Sequence, residues 1–452
     1  MTATRVAAPT QAPFPDAGYA WFAVAALSLI NMVSYIERQI LTLLFGPIKR
    51  DFQLTDTEVS LLAGAAFVIF FVLFGLLFGR LADRANRKRI ILIGAVFWSL
   101  ATTACGLAQN FVQLFIARIS VGIGEASLSP SALSTISDYF PRERLTRAIS
   151  FYTGAQYVGA GLALVVGGLA IKFVSLLPPI DIPGLGVLRP WQMTFVMVGL
   201  GGLLFAIPML FVREPVRRGV TVAPRPPDKA VQRSQFIAFF AANRRMLGCH
   251  FAGFSINTML GFGIAAWVPT FFIRVHHWAA QDIGYAYGGI MAVMGLSGAL
   301  VGGRLAEWLE ARGLKDVYFV MPMATASINM ILFPAAMLAP NATAALSILV
   351  VSTFIGTLPL SLIMASLQAV APNQLRGQLV SVFSFLANIL GVAAGPTMIA
   401  LLTDYVYRDE MAVGLSLATA SLIITPITVS ILAFGRAGLR DSLARAAQPE
   451  SS

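Results

Sequence analysis

The chain has 452 residues, 57% of them hydrophobic and 12% charged, with a formal net charge of +11. Soluble domains are about 45–50% apolar and about 25% charged. This composition excludes a water-soluble fold, which would expose apolar patches larger than water tolerates. The basic residues lie in short loops between apolar runs and not on one polar module, which excludes a nucleic-acid partner.

Residues 1–18 are polar, contain Pro9, Pro13 and Pro15, and lack the pattern of a removable signal peptide. A spanning helix needs about 20 mostly apolar residues. Charge-free stretches at 17–36 and 59–79 give helices one and two. The run 90–117 holds helix three and the start of helix four, with a turn at Gln109 and Asn110, and helix four continues through Tyr139. Stretches 148–171 and 190–212 give helices five and six. Residues 213–245 are rich in charge and proline and read as a linker, whose end at 234–245 carries an apolar face of Phe236, Ile237, Phe239 and Phe240 suited to the membrane surface. Helices seven and eight follow at 246–273 and 283–303. The charge-free run 317–375 is too long for one span, and Ala339-Pro340-Asn341 divides it into helices nine and ten. Helices eleven and twelve fall at 377–403 and 411–435, before a short polar tail.

The predicted fold is an all-α membrane protein of twelve transmembrane helices in two six-helix halves. Its parts are an N-tail (1–18), a first bundle (19–212), the linker (213–245), a second bundle (246–435) and a C-tail (436–452). Placing both termini in the cytoplasm puts 24 of the 32 Lys and Arg residues on the cytoplasmic side and 6 on the other. That bias predicts a multi-pass inner-membrane protein with both termini cytoplasmic. The halves also repeat. Gly79-Arg80-Leu81-Ala82-Asp83 after helix two matches Gly303-Arg304-Leu305-Ala306-Glu307 after helix eight, and residues 54–59 match 278–283 in the same register. Parallel repeats of this kind mark two-half transporters.

The loop that begins at Gly79 continues Asp83-Arg84-Ala85-Asn86-Arg87-Lys88-Arg89 and resembles the major facilitator loop signature G-x-L-x-D-R-x-G-R-K. Asn86 replaces the usual Gly, and Asn is the next most tolerant residue for a left-handed turn. Within that superfamily the chain is similar to the spinster branch. The similarity is carried by Tyr35-Ile36-Glu37-Arg38, where the branch typically has Asp at the Glu37 position, by Arg118 through Ser127 with its Gly122, Gly124 and Glu125, and by Ser137-Asp138-Tyr139-Phe140-Pro141. It implies the major facilitator fold, with helices one, four, seven and ten around a central cavity. It also implies lysophospholipid- or sphingoid-type cargo.

Ionisable residues inside a spanning helix are expensive and usually functional. Four stand out: Glu37, Arg38, Arg118 and Glu125. Glu37 and Arg38 are adjacent, about 100° apart around the helix, and cannot pair with each other. Arg118 and Glu125 share a face, about 10 Å apart along the axis. Glu37 and Arg118 lie at similar depth, so a Glu37–Arg118 pair is expected, with Arg38 reaching toward Glu125. Burial and arginine neighbours act oppositely on a carboxylate's proton affinity. Movement of an arginine between states would therefore couple Glu37 and Glu125 to proton binding. The alternatives are a static ion-pair network and an arginine site for an anionic substrate group.

Gly79, Asp83, Arg84 and Arg87 suggest a cytoplasmic latch onto the start of helix eleven, a contact the family resemblance also implies; for the cations the alternative is topology alone. Gly122 and Gly124 leave helix four bare beside the charges. Gly391, Gly395 and Pro396 suit close helix packing or a hinge. Asn257 and Thr258 are candidate cavity polar groups or interhelical hydrogen-bonding residues.

Cys105 and Cys249 lie in apolar runs and read as small buried hydrophobes. With His250, His276 and His277 they make no metal or disulfide framework. No phosphate loop or nucleophile–base constellation is present. The sequence thus predicts a monomeric, non-enzymatic secondary transporter among membrane lipids, without cofactor or metal, driven by a proton gradient. Its substrate would be amphiphilic, because a charged first half faces an apolar second half. The rival readings are a small organic anion or drug-like solute and, from another class, a membrane-embedded receptor or enzyme.

Overall fold

The structure is a computed structural model that describes residues 14–178, 180–183, 186–217 and 229–446. Most of the N-tail, the middle of the linker and the end of the C-tail lie outside the described residues. Among the described residues, twelve helices are long and apolar enough to cross a membrane. Those of the first half are Ala17–Leu43, Asp56–Ala82, Arg87–Cys105, Phe111–Tyr139, Arg147–Ser175 and Pro190–Leu210. Those of the second half are Arg244–Val275, Ala280–Ala311, Val317–Met337, Ala342–Val370, Gln374–Tyr407 and Glu410–Ala446. They are called helices one to twelve below.

Local chemistry starts these helices where they start. Asp16 accepts from the Gly18 amide at helix one. Thr55 and Glu58 form a capping box at helix two. Asn86, Asn110 and Asn341 cap helices three, four and ten through their side chains. Asn86 is therefore not the left-handed residue expected from the signature; its φ is −70° and its carboxamide accepts from the Arg89 amide.

Several helices outrun their charge-free windows. Helix one passes through Glu37 and Arg38 to Leu43, helix eight reaches Ala311, and helix twelve runs past Gly435 to Ala446. A charge ends the apolar window but not the helix when it faces the bundle interior or snorkels to the interface. The loop between helices five and six adds a two-stranded antiparallel hairpin, Asp181–Ile182 with Gly186–Val187. The linker ends in a helix, Lys229–Ala242, whose Phe236, Phe239 and Phe240 pack on the second half while Ile237 is exposed.

The halves meet along two seams, helix five on eight and helix two on eleven. Small residues bring both seams to backbone contact. A Cβ on Gly288 would lie 2.6 Å from the Gly161 carbonyl oxygen. On the other seam, helix two is interrupted at Gly64 (φ −104°, ψ −83°), opposite a π-helical turn, Ile389–Ala394, in helix eleven. Two irregular backbones thus meet at one point, and a Cβ on Gly64 would lie 2.5 Å from the Val392 oxygen and 2.8 Å from that of Ala393. Neither neighbour is a flexible side chain. Gly64→Ala is expected to destabilise this arrangement by ~1–3 kcal/mol, read as a lower thermal midpoint in detergent. An unchanged midpoint would mean the seam is looser than the backbone distances imply.

Candidate functional site

The first half holds a buried charged cluster built from helices one and four. Glu37, Arg118 and Glu125 are all buried, and the side chain of Arg38 is 12% exposed. Arg38 Nη2 and Glu125 Oε2 form an ion pair, and Ser34 Oγ donates to the same carboxylate oxygen at 3.0 Å. The Arg38 guanidinium lies 4.2 Å from the centre of the Phe67 ring and 4.8 Å from that of Tyr35. These rings cover the faces of the cation that hydrogen bonds cannot.

Glu37 and Arg118 do not form the expected pair. The carboxylate of Glu37 turns toward helix three, where Ser99 Oγ donates to Oε1 at 2.9 Å and Thr102 Oγ1 to Oε2 at 2.8 Å. Arg118 turns toward helix two, where its Nε donates to the Leu62 carbonyl at 3.2 Å. Its two terminal nitrogens are buried without a hydrogen-bond partner among the described residues, 5.8 Å from the guanidinium carbon to the Phe67 ring centre. Equal depth along two helices does not bring side chains together when they point to opposite sides. The roughly 100° between consecutive residues sends Glu37 to helix three and Arg38 to helix four. Ser34, Phe67, Ser99 and Thr102 were not singled out from sequence. Ser99, Thr102 and Thr103, the hydroxyl residues in the otherwise apolar stretch 90–105 of helix three, were the available signal.

The glycines make this geometry possible. Gly122 lies against the Phe67 backbone and Gly124 against Trp98. In the second half Gly391 lies against Thr258 and Phe262, and Gly395 against Met259 and Gly263 of helix seven. The Pro396 carbonyl accepts from Trp267 Nε1 at 2.8 Å. Thr258 donates to the Phe254 carbonyl of its own helix, and Asn257 is half-buried. One ionisable residue of this half was weighed in the sequence only as a metal ligand and not as an intramembrane group. His250, in the second turn of helix seven, is buried among Phe251, Phe254, Phe319 and Phe383, with Nε2 2.9 Å from the Ile363 oxygen of helix ten.

On the linker face, Arg87 is buried within its own half, with Nη1 2.5 Å from Asp138 and Nε 2.7 Å from Glu214 at the start of the linker. Arg217 donates to the carbonyls of Ala82, Asp83 and Ala85 and so caps helix two. Arg84 and the side chain of Asp83 are exposed, and Gly79 has open space beside it. Among the described residues every ion pair on this face stays within one half and its adjoining linker.

The opposite face is different. Asp56, at the first turn of helix two, is buried and held by Arg274 at the end of helix seven (2.6 and 2.7 Å) and by Lys49 (2.7 Å). Lys49 also pairs with Glu410 at 2.9 Å. Thr57 donates its amide and hydroxyl to Asp404, each at 2.7 Å, and Ser60 Oγ donates to Thr397 at 3.1 Å. All of these except Lys49–Asp56 cross between the halves. Beside them a cavity of about 700 Å³ opens outward, lined in part by Lys49, Arg50, Arg274 and Trp278. The molecule is therefore clasped between its halves on the face away from the linker and not on the linker face.

Two bundles, a loop signature and a cluster of charges on helices one and four are a family's architecture, and residues 27–396 match the family described as Major Facilitator Superfamily. The chain belongs to the major facilitator superfamily. Among curated relatives it is 25% identical over 431 residues to an MFS-type efflux pump of Mycolicibacterium smegmatis, covering 93% of each chain. It is 26% identical to protein spinster homolog 1 of Xenopus laevis, over 86% of this chain and 74% of the relative. A hexuronate transporter of Bacillus subtilis is 24% identical over 84% of this chain and 86% of its own length. Among solved structures, a bacterial homologue of the human lysosomal transporter spinster, in an inward-facing and unoccupied conformation, superposes with a TM-score of 0.78 at 24% identity, covering 97% of this chain and all of that one. This major facilitator chain is thus a multi-pass membrane transporter that resembles the spinster branch.

Proposed function

We propose that the protein is a proton-coupled secondary transporter of an amphiphilic, lipid-like substrate with an anionic head group. The observation that carries this is the bare end of Arg118. Two buried donors without partners are costly, and an anionic group placed beside Phe67 would satisfy them. The Arg38–Glu125 pair stands next to that place. An arriving anion competes with Glu125 for Arg38 and leaves the carboxylate to take a proton. Glu37 holds its own position on hydroxyls, apart from the pair. The second half offers aromatic and aliphatic walls for a tail. The proton gradient supplies the energy, no cofactor is needed, and a monomer suffices.

The loop charges orient the linker face to the cytoplasm of an inner membrane. In that orientation the clasp around Asp56 is the outer gate, and transport proceeds by alternating access. The linker-face loop with Gly79, Asp83, Arg84 and Arg87 would then latch in the opposite state, with Arg87 held ready by Asp138 and Glu214. A second reading, a small organic anion, is favoured by the two arginines around one ring and by the relatives named for sugar acids, such as the hexuronate transporter.

Purified protein in liposomes with an imposed pH gradient, offered labelled lysophospholipids, phosphorylated sphingoid bases and hexuronate, distinguishes these readings. The expected result is pH-driven movement of the lipids, lowered at least ~10-fold by Glu37→Gln and by Glu125→Gln, the size of a typical coupling energy. Movement of hexuronate alone would replace the lipid reading by the anion reading. Unchanged pH dependence in both variants would remove proton coupling.

A further inference from the structure

Glu37 is fully buried, and what surrounds it is not the central cavity. Its two carboxylate oxygens are taken separately by two hydroxyls of helix three, Ser99 to Oε1 and Thr102 to Oε2. Both donors are themselves buried. The third wall is helix six, where Gly202 comes so close that a Cβ there would overlap Glu37 Oε1. A narrow crevice between Ile30, Val33, Trp98, Ser99 and Gly202 lies alongside, without room for a water molecule. The family resemblance places helices three and six outside the set around the cavity, and the carboxyl, turned toward them, is held at the back of the first half. The charged and titratable groups facing it are Arg118 and Glu125 of helix four and Cys105 of helix three, while Arg38, next to it on helix one, points away to Glu125. Helix six, Pro190–Leu210, has no titratable side chain at all.

We propose that Ser99 and Thr102 are positioning residues that set the proton affinity of Glu37, in a compartment between helices one, three and six, apart from the Arg38–Glu125 pair. This deepens the reading of Glu37 as a proton site and rests on it. Hydroxyls that donate to a carboxylate favour its charged form. Here they are the only side-chain hydrogen bonds to Glu37 among the described residues. They therefore support the charged form of a buried carboxyl that, among the described residues, no cation stands within ion-pair distance to support. Small movements of helix three relative to helix one would change both bonds at once, which is how a conformational change can be felt at Glu37 without substrate touching it.

The test uses the full chain in detergent and protons as the probe. Infrared difference spectra recorded across a pH titration follow the carbonyl band of protonated buried carboxyls. Glu37→Gln is expected to remove one titrating band. Ser99→Ala and Thr102→Val are each expected to move the midpoint of that band upward by about one pH unit, the size expected from losing one hydrogen bond to a charged group. Thr102→Ser, which keeps the hydroxyl, is expected to leave the midpoint in place. If Glu37→Gln removes the band but the hydroxyl variants titrate as the parent does, the positioning role is wrong and the proton site stands. If Glu37→Gln removes no band, the proton site itself is wrong and the positioning role falls with it. If replacing potassium by sodium at fixed pH shifts the band, and the shift is lost in Ser99→Ala, the hydroxyls are ligands for a metal cation, and the proposal is overturned.

Discussion

Asp56→Asn is expected to open the face away from the linker. In the structure this carboxylate is buried and holds two cations, Arg274 by two bonds and Lys49 by one. Asparagine keeps the shape and loses the charge, leaving both cations without it. Breaking a buried pair by removing one partner costs about 3–5 kcal/mol. The loss falls on one state only, because Arg274 belongs to the second half and Asp56 to the first, and they must part when the face opens. A 3 kcal/mol loss shifts a two-state equilibrium by more than ~100-fold, enough to move a closed majority to an open one. Arg274→Gln should do the same more weakly, since Lys49 would still neutralise Asp56 and reach Glu410. The readout is a cysteine in place of Ser60, which is buried against Thr397 in this contact. A membrane-impermeant maleimide should label it slowly in the parent, faster with Arg274→Gln and fastest with Asp56→Asn. Equal labelling in all three would show that the seam of helices two and eleven, and not the ionic clasp, keeps the face shut.

None of this clasp was legible as a clasp in the sequence. Lys49 and Arg274 were only two of the six Lys and Arg residues counted on the side away from the termini, and Asp56 was only part of a repeat between the halves. Sequence separation of 218 residues between Asp56 and Arg274 carries no signal of contact. The twelve spans were legible, because hydropathy is a property of each segment by itself. So were the four intramembrane charges, since a charge in an apolar run is conspicuous whatever its partner. Their pairing was half legible. Helical spacing fixed that Glu37 and Arg38 point apart, and Arg38 did reach Glu125. The direction each helix presents to its neighbours depends on packing of the whole bundle, so Glu37 was assigned to Arg118 when it belongs to Ser99 and Thr102. Asn86 shows the same limit on a small scale. Its tolerance of a left-handed turn was a true property of the residue, but its place three residues before the Arg89 amide made it a cap. The π-helical turn at Ile389–Ala394 had no signature beyond Gly391 and Gly395, and it exists because helix eleven must fit both helix seven and Gly64 of helix two.

The pair between Arg38 and Glu125 separates stability from function. Arg38→Ala leaves Glu125 buried with only Ser34 as a partner, and is expected to destabilise the protein by about 3–5 kcal/mol. Glu125→Gln leaves Arg38 with its two aromatic neighbours and a 12% exposed side chain, so its cost should be smaller, ~1–3 kcal/mol. The double variant Arg38→Met with Glu125→Gln removes both charges. Methionine fills the space between Tyr35 and Phe67 and makes favourable contact with aromatic rings, while glutamine still accepts from Ser34. Replacing a buried ion pair by neutral groups of similar volume is often neutral or stabilising. The double variant should therefore recover most of the stability lost by Arg38→Ala, and with Arg38→Met as the matching single variant the thermodynamic cycle should give a coupling energy of about 2 kcal/mol or more. Transport should not recover with it. A pair kept for stability would return activity along with stability, whereas a pair kept because its opening is part of the cycle leaves a well-folded protein that moves nothing. Recovery of pH-driven transport in the double variant would assign Arg38 and Glu125 to the scaffold and leave Arg118 and Glu37 as the working charges.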